Sequence, residues 1–473
     1  MRMKHTLLAV GLAATFVAAP AQAALDEGGG AAPMPVVSSA AEGFEASANA
    51  HPTARSDAVT AWNANAGEAA IAACISPVDN PLHESHLYAM THVAIHDALN
   101  AIDRRSRPYA FSARVNRGAS PEAAVAAAAR DVMVPLLSQI PAPFPPACGA
   151  AGVASVEADY ATALDAIPDG RAKTRGIEVG KAAAAAILAL RAADGADTPL
   201  IVTDYPEGTN PGEYRFTPGT PFVFAPGWAD VTPFVLRDSS QFRPGPPYAV
   251  TSRKYKADFA EVKRLGGDDI TTPSARGDEQ TEIALFWVES SPLRWNRIAR
   301  TVSADARLDL WEQARLFGLL NMALADGYIG SFDTKYHYTY WRPVTAIREA
   351  ATDGNPATTA DPTWTPLVTT PPIPDYDSAH SVEGGAAAAV LARVLGTDRI
   401  GFAACSLTLP AGQTCADPNP VLRRYGSFSQ AANENALSRI YNGFHFRDAV
   451  QIGTRHGEKI GNRAVNLLLR PVQ

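Results

Sequence analysis

This sequence is short of cysteine, of strand-forming runs and of any long apolar stretch beyond its first residues. Four cysteines occur in 473 residues, and no two have the two-residue spacing of a structural zinc site. Neither cysteine region carries a His or Asp placed to activate a thiol, which disfavours thiolate catalysis. Charged residues interrupt every later apolar run below transmembrane length. Positive charge is scarce too. Lys and Arg number 41 against 48 Asp and Glu, a net −7, which argues against general binding to nucleic acid or anionic membranes. No repeat of solenoid period occurs.

What is present begins with a secretory signal over residues 1–23. Arg2 and Lys4 form a positive start, Leu7 to Ala19 an apolar stretch, and Ala21-Gln22-Ala23 a small-residue cleavage site. Its removal takes two cations and no acids, moving the formal charge from −7 to −9. The expected product is exported, periplasmic or extracellular, where disulfides persist. Cys405 and Cys415, ten apart in a Gly/Pro/Thr loop, are the favoured pair. Cys74 and Cys148 are candidates for a second bridge, although sequence alone does not fix connectivity.

Residues 24–60, rich in Ala, Gly, Ser and Pro, read as a mobile N-terminal segment, and 61–473 as one large helical domain. Helical patterning places segments at 60–74, 83–103, 121–138, 153–166, 170–194, 276–291, 303–328, 380–395, 429–441 and 446–468. Ser120-Pro121 and Ser303 supply N-caps for two of them. Residues 196–250 are irregular and rich in Pro and Gly, a length normally functional or tightly packed. The fold class is therefore all-α, a helical bundle.

Three blocks within 332–448 carry the chemistry: Lys335-x6-Arg342-Pro343, Asp377-Ser378-Ala379-His380, and Ser438-Arg439-x5-His445. Guanidinium forks match phosphate-like oxygens bidentately, and lysine adds a point charge. Pro343 disfavours helix at Arg342, leaving that residue extended. Asp377-Ser378-Ala379-His380 opens an Ala-rich helix whose free amides suit an anion, with Ser378 as a donor and His380 as a proton carrier. Asn442-Gly443 offers a break that lets Arg439 and His445 converge. Taken singly, each block has a plainer reading: surface cations beside Tyr336, Tyr338, Tyr340 and Trp341; an ordinary N-cap with a solvated His380; a buried, satisfied His445. Together, in this order and at helix ends, they favour one oxyanion site. His92 and His96, four apart beside Asp97, form a possible divalent-metal pair, but with no third ligand packing is the better reading.

In order, spacing and Trp341 context, these blocks resemble the vanadium-dependent haloperoxidases and the bacterial class A acid phosphatases that share their site. The resemblance covers most of residues 60–470. It includes the helix around Asp97-Ala98-Leu99-Asn100-Ala101, Pro211-Gly212 with Arg215-Phe216-Thr217-Pro218, and Pro233-Phe234 with Phe242-Arg243-Pro244. It implies two four-helix bundles and a vanadate cofactor, with phosphate as a competing occupant. His445 resembles the residue that binds vanadium. Lys335, Arg342 and Arg439 resemble the cations around its oxygens, Ser378 and the Ala379 amide the donors, and His380 the acid–base group. The implied partners are hydrogen peroxide and a halide, oxidised to hypohalous acid. The alternative is a phosphomonoesterase acting on a phosphate ester through a phosphohistidine at His445. Phe332 and Ile373 fall where family members vary around the halide.

The chain departs from that signature in three places. Asp377 and Ala379 replace its proline and glycine, and Asp448 falls three residues after His445 instead of four. Asp377 is expected to weaken oxyanion binding or raise the pKa of His380. Asp448, on the same helix face, is expected to orient the imidazole.

Overall fold

Residues 57–115 and 118–472 are described by the structure, a computed structural model, so the signal segment and residues 24–56 lie outside the described residues. Five helices come first: α1 (Ala58–Ala72), α2 (Pro81–Ile102), α3 (Pro121–Ser138), α4 (Pro146–Asp165) and α5 (Arg171–Arg191). Side-chain caps start α1 and α3. Asp57 Oδ1 accepts from the amides of Val59 and Thr60 at 3.0 Å, and Ser120 Oγ from that of Ala123 at 3.2 Å. Helix α3 packs on α2, α4 and α5, while α1 packs on α4, giving the first bundle. The Cys74–Cys148 disulfide ties the end of α1 to the start of α4.

The irregular segment that follows is packed rather than idle. Its short strands β1 (Ile201–Val202) and β2 (Val223–Phe224) pair antiparallel. Buried Asp326 accepts three backbone amides from it: Phe234 at 2.6 Å, Val235 at 2.7 Å and Leu236 at 2.7 Å.

The remaining helices are α6 (Arg253–Leu265), α7 (Asp278–Phe286), α8 (Ser291–Asp305), α9 (Leu310–Tyr338), α10 (Pro343–Glu349), α11 (Ala379–Leu395), α12 (Phe428–Tyr441) and α13 (Arg447–Leu467). Between α11 and α12, β3 (Phe402–Ala404) pairs antiparallel with β4 (Arg423–Tyr425), beside the Cys405–Cys415 disulfide. Helices α9, α11, α12 and α13 pack as the second bundle, and α2 against α9 joins the two. Helices α11 and α13 approach closely at Gly457, where a Cβ would overlap the Val382 carbonyl oxygen. No described helix is long and apolar enough to cross a membrane.

The expected helix over 303–328 is two elements. Ser303 lies inside α8, its hydroxyl bonded to the Arg300 carbonyl, and is not a cap. The chain turns at Arg307, with φ 52°, and restarts at Asp309, whose carboxylate and Glu312 form a capping box for α9. Helices α6 and α10 were not expected from patterning.

Candidate oxyanion site

The three blocks sit at the ends of α9, α10, α11 and α12 and in the link before α13. Lys335 occupies the last turn of α9, which stops at Thr339 in the left-handed region, φ 46°. Arg342 is extended (φ −82°, ψ 156°) and caps α10, as Pro343 requires. Ser378 is the N-cap of α11, so Ala379 and His380 hold its first-turn amides, which lack intrahelical acceptors. Arg439 is in the last turn of α12, and His445 lies in the link before α13. Gly443 makes that link possible. Its φ is +80°, and a Cβ there would press on Gly266, Pro366 and Trp364.

The structure brings these residues together. Arg342 Nη1 lies 3.0 Å from His445 Nε2 and donates to the Phe444 carbonyl at 2.9 Å, while its Nε donates to Ile373 at 2.6 Å. Lys335 Nζ donates to the carbonyls of Pro374 at 2.9 Å and Asp375 at 3.0 Å. Arg439 Nη1 donates to the Trp287 carbonyl at 2.9 Å, and its guanidinium lies 4.8 Å from the Phe444 ring centroid. The Ser378 hydroxyl accepts from Ser381 Oγ at 3.0 Å. His445 Nδ1 lies 2.8 Å from Asp375 Oδ1. When Asp375 is ionised it only accepts, and in that form Nδ1 carries the proton and Nε2 keeps its lone pair.

Burial and mutual repulsion act on every charge here. Burial, then Arg342, pushes Lys335 well below the usual lysine range and Arg439 down to about 9. Burial holds the His445 imidazole well below its ordinary value, with Arg342, Lys335 and Arg439 adding repulsion. His380 is likewise depressed, by burial and then Arg439. Burial raises Asp375 to about 8, against the pull of Arg342 and Lys335. Among the described residues, none of the three cations forms an ion pair with a carboxylate, and Arg439 Nε and His380 Nε2 are buried without a partner. Buried charge left in this state is costly. A compact oxyanion answers it, and this donor set fits vanadate or phosphate.

Two expectations need correction. Asp448 does not orient the imidazole: its amide donates to Asp258 Oδ2 at 2.8 Å, and its carboxylate meets Tyr248. Asp375 makes that contact instead, from a loop 70 residues away in sequence. No periodicity marks it; an acid two positions ahead of the second block was its one signal. Asp377 does not face the anion either. Its Oδ1 accepts from Ser331 Oγ at 2.9 Å and its Oδ2 meets His456 Nδ1 at 2.8 Å, and His380 shifts down, not up. Phe332 and Ile373 belong to an apolar cluster with Ala379, Tyr328 and Trp228. His92 and His96 are held in helix packing, by Asn63 at 2.8 Å and by Asp97 and Ser106 at 2.8 and 2.6 Å.

Residues 315–473 match the family model for the VCPO second helical-bundle domain. The crystal structure of a bacterial vanadium-dependent iodoperoxidase superposes with a TM-score of 0.69 at 25% identity, covering 88% of this chain and 97% of that one. In its second helical bundle and in its fold the chain is similar to the vanadium-dependent haloperoxidases. The vanadium chloroperoxidase of Curvularia inaequalis is 25% identical over 289 residues, 49% of this chain and 47% of that protein. The match thus spans about half the length of this curated relative. A holo-type bacterial vanadium-dependent chloroperoxidase shares the haloperoxidase fold, with a TM-score of 0.65 at 18% identity over 85% of this chain and 94% of that one.

Proposed function

We propose that this protein is a vanadate-dependent haloperoxidase that uses hydrogen peroxide to oxidise a halide to hypohalous acid. The observation that carries this reading is the meeting of Lys335, Arg342 and Arg439, buried and without carboxylate partners, around a His445 ring whose Nε2 lone pair is kept available by Asp375. In this reading His445 Nε2 would hold the vanadium, and the three cations would neutralise the oxygens. Ser378 and the Ala379 amide donate to the same group, the helix N-terminus adding its favourable field. Bound vanadate supplies a Lewis acid that activates peroxide without a change in its own oxidation state.

His380 serves as the proton carrier. Its depressed pKa keeps the ring neutral at neutral pH, so it can accept a proton from peroxide and return it to a leaving oxygen. The overall reaction consumes one halide, one peroxide and one proton, and releases hypohalous acid and water. The apolar cluster around Phe332 and Ile373 lies beside Ala379, where it limits water access. We place the enzyme outside the cytoplasm, a reading supported by the N-terminal signal pattern and two disulfides.

Purified protein assayed with bromide, peroxide and a phenol dye tests this directly. Halogenation that appears only after orthovanadate is added, and is absent in His445→Ala, is the expected outcome. Turnover of a phosphate ester that vanadate inhibits would instead select the phosphomonoesterase. Phosphate binding without either activity would leave an anion-binding relic.

A further inference from the structure

We propose that Asp377 is a positioning residue, which with Ser331 and His456 locks the walls of the oxyanion cup in register. The inference rests on the reading of that cup as an anion site. Asp377 immediately precedes Ser378 and is fully buried, as is Ser331, while His456 is 2% exposed. Ser331 lies one turn before Lys335 on α9, and its hydroxyl donates to Asp377 Oδ1 at 2.9 Å. His456 is on α13 and meets Asp377 Oδ2 at 2.8 Å through Nδ1. One carboxylate therefore joins the helix that carries Lys335, the loop that carries Ser378 and the helix that follows His445.

The bond from the Ser378 amide to the Ala449 carbonyl, at 3.1 Å, closes the same junction from the other side. Each Asp377 oxygen has its own donor, so the charge is spent on bracing rather than presented to the anion. Loss of the brace frees Ser378 and the α11 N-terminus to move relative to Lys335. A shift of well under 1 Å is enough to spoil convergent hydrogen bonds on a small tetrahedral guest.

The test is titration calorimetry with inorganic phosphate on the full-length protein, alongside thermal melts. Asp377→Ala is expected to weaken phosphate by about tenfold or more, the effect usual for residues supporting a ligand shell. Asp377→Asn keeps an acceptor for Ser331 and a polar group for His456, and is expected to restore affinity to within about threefold of wild type. Should Asp377→Ala not fold, Ser331→Ala removes one arm alone and is expected to cost about threefold. A lower melting temperature with unchanged phosphate affinity in these variants would show a merely structural role and overturn the proposal. Wild-type protein that binds neither phosphate nor vanadate would overturn the anion site itself, and the brace with it.

Discussion

Asp375, outside the three blocks, touches two of their residues. It fixes the His445 tautomer through Oδ1, and its backbone carbonyl accepts from Lys335. Asp375→Ala is expected to lower vanadate affinity by about 10- to 100-fold, measured by activity against added vanadate, with the fold intact by circular dichroism. Glu84 makes a prediction away from the site. Burial raises its carboxyl to about 8, although Ser290 and Ser76 donate to it. Below about pH 4.5 folded and unfolded chains both hold this proton. Between there and pH 8 the unfolded chain releases it first, so stability falls as pH rises, by up to about 1.4 kcal/mol per unit. Above that range the slope from this group vanishes. Glu84→Gln should therefore gain on wild type from pH 5 to 8 in urea melts; parallel curves would refute the buried-acid account. At this scale the sequence was legible for residues inside the motif and nearly mute for Asp375, whose one mark was its place two positions ahead of the second block and whose loop has no period.

Element boundaries follow local chemistry closely where a cap is present. Ser120-Pro121 marks the start of α3, and Pro343 forces Arg342 out of helix. The apolar spacing of Leu308, Leu310 and Trp311 runs across the α8–α9 junction, so periodicity alone concealed the break at Arg307. Helix α10 spans seven residues, too few for a period to register. Helix packing gives its own test at Gly457. Gly457→Ala places a methyl against the Val382 carbonyl, one turn from the His380 end of α11, and should cost about 1–3 kcal/mol in denaturant unfolding. The two disulfides should differ in effect, since Cys74–Cys148 spans 74 residues and Cys405–Cys415 ten. Removing the first by Cys74→Ser/Cys148→Ser should lower stability by about 4 kcal/mol, more than removing the second, as loop-closure entropy requires.

The whole molecule supplies what no local pattern holds: four helix ends between Lys335 and His445 that bring their charged side chains into mutual electrostatic reach. The sequence carried the residue types and their helix-end positions, and the family resemblance supplied the convergence. The first bundle contributes no residue to the cup, but α2 packs on α9 and backs the helix that bears Lys335. The irregular segment is fastened to α9 by Asp326, about two and a half turns before Lys335 on the same helix. The account therefore depends on one arrangement, in which Arg342 meets Nε2 of His445 while Lys335 and Arg439 lie near enough to repel a proton on that ring. A crystal structure of the protein grown with orthovanadate measures that arrangement directly. The account predicts vanadium bonded to His445 Nε2, with Arg342 turned from the ring to the oxygens and Lys335 and Arg439 also within hydrogen-bonding reach. Vanadate found elsewhere, or none at saturating concentration with Arg342 still bonded to Nε2, would contradict it.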